Sequence, residues 1–143
     1  MATQSRPDQM QKLLERAPEG SLFMLNLLKF RELAVYADGR ETDLTGAEAY
    51  SLYGRGVARL ITDLGGSIIW GGMTNSLVIG EGDAPDWDQV AVVEYPNITA
   101  FTTMTASPAY QQIHIHREAG LDQQLLINCL SAGQARAIAG LKE

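Results

Sequence analysis

One cysteine is all this sequence holds. Cys129 has no partner in the chain, so an internal disulfide is excluded and stability must come from a packed core. Basic residues are in the minority, 11 Lys and Arg against 17 Asp and Glu, which gives a net charge of -6 and a pI near 4.8. Lys12, Arg16, Lys29, Arg31, Arg40, Arg55, Arg59 and Arg117 are scattered without forming a stripe. Nucleic acid is thereby disfavoured as a partner, because phosphate binding needs clustered positive charge. Long apolar runs are absent too: the longest, Leu22 to Leu28, is broken by Asn26 and is far too short to span a bilayer. The opening MATQSRPDQM has no apolar signal core, and with a lone cysteine it predicts a reducing, cytoplasmic setting. No nucleophile elbow, phosphate-binding loop or dinucleotide glycine pattern occurs. Neither Gly65-Gly66 nor Gly71-Gly72 is followed by the helix that phosphate binding would use.

What is present is organised around Asp88 to Leu121. Val90, Val92 and Val93 predict a strand that Pro96 stops. Asn97 then stands where an N-cap belongs, with Ala100, Phe101 and Met104 as the apolar stripe of a short helix. Ser107-Pro108 predicts a second helix start, carrying Tyr110, Ile113 and Arg117 inward until Gly120.

A length of 143 residues predicts one domain: an accessory helix within 1–20, a core over 22–131 and an alanine-rich tail over 132–143. Pro7 to Ala17 is amphipathic. Leu22 to Phe30 predicts a strand with Leu22, Met24, Asn26, Leu28 and Phe30 on one side and Phe23, Leu25, Leu27 and Lys29 on the other, apolar on both. Ala34 to Thr42 predicts a small hairpin about Asp38-Gly39. Thr45 and Glu48 form a capping box for a helix bearing Tyr50, Tyr53, Val57, Leu60, Ile61 and Leu64, with Gly54 positioned for a close backbone approach. Ser67 to Gly80 predicts a long strand bent at Gly71-Gly72, and Leu125 to Leu130 a last strand. The order β-α-β-β-α-β defines an α+β, ferredoxin-like fold, a four-stranded antiparallel sheet with both helices on one face and an extra N-terminal helix. One helix layer cannot cover a strand that is apolar on both sides. A second copy is the simplest cover, predicting a homodimer with sheets face to face, a dimeric α/β barrel.

The segments FMLNLLKF, YADGRETDLTGAEAYSLYG, VAVVEYPN and SPAYQQIHIHREAGL together resemble an uncharacterised bacterial family carrying a domain of unknown function. This family of small dimeric α/β-barrel proteins is akin to the antibiotic-biosynthesis monooxygenases. The resemblance covers residues 22 to 131 and implies the same fold and dimer. It places the family's recurrent His and Arg at His114 and Arg117. Relatives on this fold include cofactor-free oxygenases, haem-handling enzymes and isomerases, so the fold by itself names no reaction.

The residues offer several chemical groups. Glu94 shares a strand face with Val90 and Val92, where its carboxylate is either a desolvated general acid or base or a strand-end group bonded to backbone or an arginine. Asn26 interrupts an apolar face, to polarise a substrate carbonyl or to join a buried network. His114 and His116 lie about 200° apart on a helix and so cannot share a ligand. With no other histidine and no carboxylate cluster, no metal site is expected. Arg117 could clamp a carboxylate or pair with Glu118 of a neighbour or Glu94. Tyr50, Tyr53, Trp70 and Tyr110 would line a pocket or simply fill the core. The expected function is a homodimer binding a small, partly apolar organic molecule. If an enzyme, it performs cofactor-independent oxygenation or proton transfer with Glu94 and His114. The alternatives are a non-catalytic ligand-binding or stress-associated module, or haem handling by a single histidine.

Overall fold

The computed structural model describes residues 3–140, arranged as a four-stranded antiparallel sheet with helices on one face. In chain order the elements are α1 (Pro7–Arg16), β1 (Leu22–Phe30), α2 (Gly46–Asp63), β2 (Ser67–Met73), β3 (Gln89–Tyr95), α3 (Ile98–Ala106), α4 (Pro108–Gly120), β4 (Leu121–Cys129) and α5 (Ala132–Ala139). The strand order is β2-β3-β1-β4, so each crossover helix returns the chain past a neighbour, which is the ferredoxin-like topology.

Caps set the helix boundaries. Thr45 Oγ1 accepts from the Glu48 amide while the Glu48 carboxylate accepts from the Thr45 amide, a reciprocal box whose threonine alone contributes about 1 kcal/mol. Asn97 caps α3 through the Ala100 amide, and Ser107 ends α3 and starts α4 through the Tyr110 amide. Pro108 at the first turn of α4 has no N–H to continue α3, so the two-piece helix is a local consequence of Ser-Pro.

The core lies between the sheet and α2, α3 and α4. Leu22, Met24, Val93 and Tyr95 from β1 and β3 pack against Tyr53, Val57, Ile61, Phe101, Met104 and Tyr110. These strand residues all belong to the set that includes Asn26, which fixes the helix side of β1. Phe23, Leu25 and Leu27 therefore face the other way, level with Glu94, Val92 and Val90 on β3 and Cys129, Ile127 and Leu125 on β4. On that second face Leu125 and Ile127 are more than 40% exposed, whereas Leu22, Met24 and Val93 on the first are buried under the helices.

Several expectations are corrected. The Asp38-Gly39 turn exists, with Gly39 at φ 81°, but no hairpin flanks it. The segment instead docks onto the end of α4, Val35 donating to the Ala119 carbonyl, and retains a single bridge between Leu33 and Thr45. β2 stops at Met73 because β3, its partner, begins at Gln89 and offers nothing further to pair with; Val78 and Ile79 are almost fully exposed. Its register shift falls between Ile68 and Trp70 rather than at Gly71-Gly72. Gly72 is instead overlaid by the Trp70 indole, 3.1 Å from where a Cβ would stand. β4 begins at Leu121, straight out of α4, because Gln123 and Gln124 already pair with β1. Gly54 approaches nothing; the close contact is between Gly46 and Gly120, where α2 begins and α4 ends. Among the described residues no helix is long and apolar enough to cross a membrane.

Candidate functional site

A cleft of about 690 Å³ opens on the helix side of the sheet, beside the β4 edge. Its floor is Met24, Gln124, Leu126 and Asn128, residues of β1 and β4 that share the helix-facing register. Phe101, Tyr110, His114 and Arg117 from α3 and α4 form one wall, and Met10, Lys12, Leu13 and Arg16 from α1 form the other. The N-terminal helix, expected only as an accessory, is thus part of the cleft. It has no fully buried residue, although Met10, Leu13 and Ala17 pack against the core. The Gln4 side chain ahead of it donates to the Glu118 carboxylate on α4.

A chain of hydrogen bonds crosses the floor. The Arg117 guanidinium donates to Gln124 Oε1 at 2.5 Å, and Gln124 Nε2 donates to Asn26 Oδ1 at 2.9 Å. Asn26 Nδ2 lies 3.4 Å from the carbonyl oxygens of Met24 and Ala91, so its amide is turned with oxygen toward Gln124. A polar group in an apolar face is therefore satisfied, and the network fixes Arg117 from below. Gln124 is the hub, and nothing in its sequence context marked it beyond being polar on the same strand face as Leu126 and Asn128.

An aromatic column backs the wall. Phe30 meets Tyr50 at 5.4 Å between ring centroids, Tyr50 meets Tyr53 at 5.2 Å, Tyr53 meets Tyr110 at 5.9 Å, and Tyr110 meets His114 at 5.6 Å. The Tyr53 and Tyr110 hydroxyls are 3.1 Å apart. Burial pushes the Tyr50 hydroxyl up to about 12, against a smaller opposing pull from Arg117, and raises Tyr53 well above the ordinary phenol value. Both hydroxyls are neutral at pH 7, and that of Tyr53 is hydrogen-bonded to Tyr110.

His114 is the imidazole that lines the cleft; its Nε2 stands 3.7 Å from Glu118 Oε1. Burial first, then the Arg117 charge, hold its pKa below the ordinary histidine value, with Glu118 opposing. His116 points elsewhere, its Nδ1 2.7 Å from the Tyr36 hydroxyl, and its pKa is lowered by burial and then by Arg40. Both rings are neutral at pH 7 and able to accept a proton. A histidine whose folded pKa lies below its unfolded value binds fewer protons when folded. Its contribution to stability is therefore flat above about pH 6.5 and falls as pH drops from there through the folded pKa. Replacing His114→Gln is expected to flatten the decline in Tm between about pH 7 and pH 5. A slope identical to that of the unmodified chain would contradict the assigned shift.

The structure brings together Asn26, Tyr50, Tyr53, Tyr110, His114 and Arg117, three of them lining the cleft and the others directly behind those linings. It does not bring in Glu94 or Trp70. Glu94 lies on the opposite sheet face near the end of β3, accepting from Ser21 Oγ at 2.6 Å, and so does not meet His114. Trp70 lies on the edge strand β2, more than half exposed. Within the single chain Arg117 pairs with neither Glu94 nor its own Glu118 but with the neutral amide of Gln124. Among the described residues no three His, Cys, Asp or Glu side chains converge as a metal site would need.

Comparison with known proteins agrees with this fold. Residues 35–128 match the family described as a domain of unknown function, DUF1330. Two crystal structures of RPA0582, a protein of unknown function from Rhodopseudomonas palustris, are similar to the chain. The first is 33% identical, covers 88% of this chain and 93% of its own, and superposes with a TM-score of 0.78. For its methylated form the values are 35%, 92%, 97% and 0.80. No curated protein matches the sequence. A family match spanning most of the chain, and a relative above 30% identity that superposes over nearly its full length, lead to one conclusion: the chain belongs to the DUF1330 family.

Proposed function

We propose that this protein is a homodimeric small-molecule-binding protein whose ligand sits in the cleft between β1, β4, α4 and α1, with His114 as a proton acceptor for a carbonyl compound. The observation that carries this reading is the Arg117–Gln124–Asn26 relay along the floor of a cleft that also presents a neutral imidazole. A fixed cationic donor beside a neutral base is what removal of a proton next to a carbonyl requires, the base taking the proton and the donor stabilising the enolate oxygen. The apolar residues Met24, Phe101 and Leu126 suit a partly apolar body.

The dimer rests on the other sheet face. Phe23, Leu25, Leu27, Val90, Val92, Leu125 and Ile127 form a continuous apolar surface there, with Leu125 and Ile127 more than 40% exposed in the single chain. Such a surface marks an interface, and a twofold arrangement lets it cover itself.

A narrower reading, ligand binding without chemistry, is favoured by one observation: no carboxylate is among the described residues lining the cleft, so His114 has no acid partner facing the ligand. Titration with 4-phenyl-2-butanone in D2O, followed by NMR, separates the two. The expected result is amide shifts clustered at Met24, Tyr110, His114 and Gln124, with deuterium entering the ketone's α-carbon faster with protein than without. His114→Ala should abolish the acceleration and Glu94→Gln should leave it. Binding without exchange selects the non-catalytic reading, and shifts confined to the open sheet face would refute both.

A further inference from the structure

Resting on the ligand-binding reading of this cleft, we infer that its ligand is an organic anion, a carboxylate with an apolar body, held between Arg117 on one wall and Lys12 and Arg16 on the other. The chain carries a net charge of -6, yet the formal charges of the described lining residues are all positive: Lys12, Arg16 and Arg117. An acidic protein that gathers only cations around this cleft sets up a field there of opposite sign to its surface at large, which draws anions inward.

None of the three cations has an ion-pair partner among the described residues, whereas Arg6 and Arg40 on the surface are paired with Asp8 and Asp38. Arg117 bonds to a neutral amide, which orients the guanidinium without neutralising it. The neighbouring acid, Glu118, is engaged by His114 and by the Gln4 side chain. Arg117 is half-buried while Lys12 and Arg16 are exposed; like charges gathered around one cleft repel each other, and a bound counter-charge relieves the repulsion. A planar carboxylate matches the guanidinium fork, and the remaining surface suits an apolar body.

The position of α1 adds a consequence. It brings two of the three cations and has no fully buried residue, so an anion bridging the walls would also tie the helix down.

The test is isothermal titration of the full chain with 4-phenylbutyrate and, separately, with 4-phenylbutyramide, which has the same body and no charge. The acid is expected to bind about 10-fold tighter than the amide at low salt, and its advantage to shrink to about 2-fold or less in Lys12→Gln/Arg16→Gln. Those two residues sit on an exposed helix, so the variant keeps its fold. Arg117→Gln should remove the advantage as well. Equal affinity for acid and amide would overturn the anionic assignment while leaving the cleft as a binding site for neutral molecules. An acid preference that survives both variants would overturn it equally. If neither compound binds, the ligand-binding reading falls together with it.

Discussion

Replacing Gly120→Ala is expected to lower stability by roughly 3 kcal/mol, at the upper end for an overpacking change. The reason lies in the joint where β1 leaves the sheet, α2 begins and α4 ends. A Cβ at Gly120 would stand 2.3 Å from the Gly46 carbonyl oxygen and 2.9 Å from the Tyr50 amide nitrogen. A Cβ at Gly46 would stand 2.1 Å from the Arg31 carbonyl oxygen. These neighbours are backbone, so they cannot swing aside as a side chain would. The Arg31 amide also donates to the Gly120 carbonyl at 2.8 Å, and separating the elements would break that bond. Gly54→Ala is the internal control. Nothing lies within 4 Å of its Cβ position inside α2, and alanine there should gain about 0.5–1 kcal/mol from helix propensity. Urea denaturation of the two variants checks both signs. Equal midpoints would show that the joint yields without cost. Because α4 carries His114 and Arg117 from this joint, Gly120→Ala should also weaken ligand binding.

The second large effect concerns assembly. Ile127→Asp is expected to weaken dimerisation by at least about 100-fold, because a twofold interface would bury the unpaired carboxylate twice. Ile127 lies level with Leu25 on the open face, away from the core between sheet and helices, so the subunit should retain its far-UV circular dichroism. Sedimentation velocity at micromolar concentration reads the change directly. An unaltered sedimentation coefficient would mean that this face is not where two copies meet.

Much of this was legible from residue pattern because it is set locally. The period-2 alternation of β1 separated its two apolar faces, Thr45 with Glu48 and Asn97 announced helix starts, and Ser107-Pro108 broke the helix between α3 and α4. Asn26 was visible as the exception on an apolar strand face. What escaped depended on tertiary placement. Alternation put Glu94 with Val90 and Val92 but could not say which sheet face the helices cover, and that face decides that Glu94 and His114 stay apart. Gln124 sits in a polar run whose strand character comes from pairing with β1 and not from its own composition. Gly120 read as an ordinary helix end, since its contact with Gly46 across 74 residues leaves no local trace. α1 read as an accessory because its apolar stripe gives no hint that its cationic side walls a cleft.

The central claim is a division of labour between the two faces of one sheet, the bare face joining a second copy and the helix-covered face holding an anionic guest. Native mass spectrometry of the full chain with 4-phenylbutyrate present addresses both parts at once. The expected spectrum shows a species of twice the 15.6 kDa subunit mass that binds one acid per subunit. A compactly folded 15.6 kDa species, or a dimer that carries no acid, would contradict it.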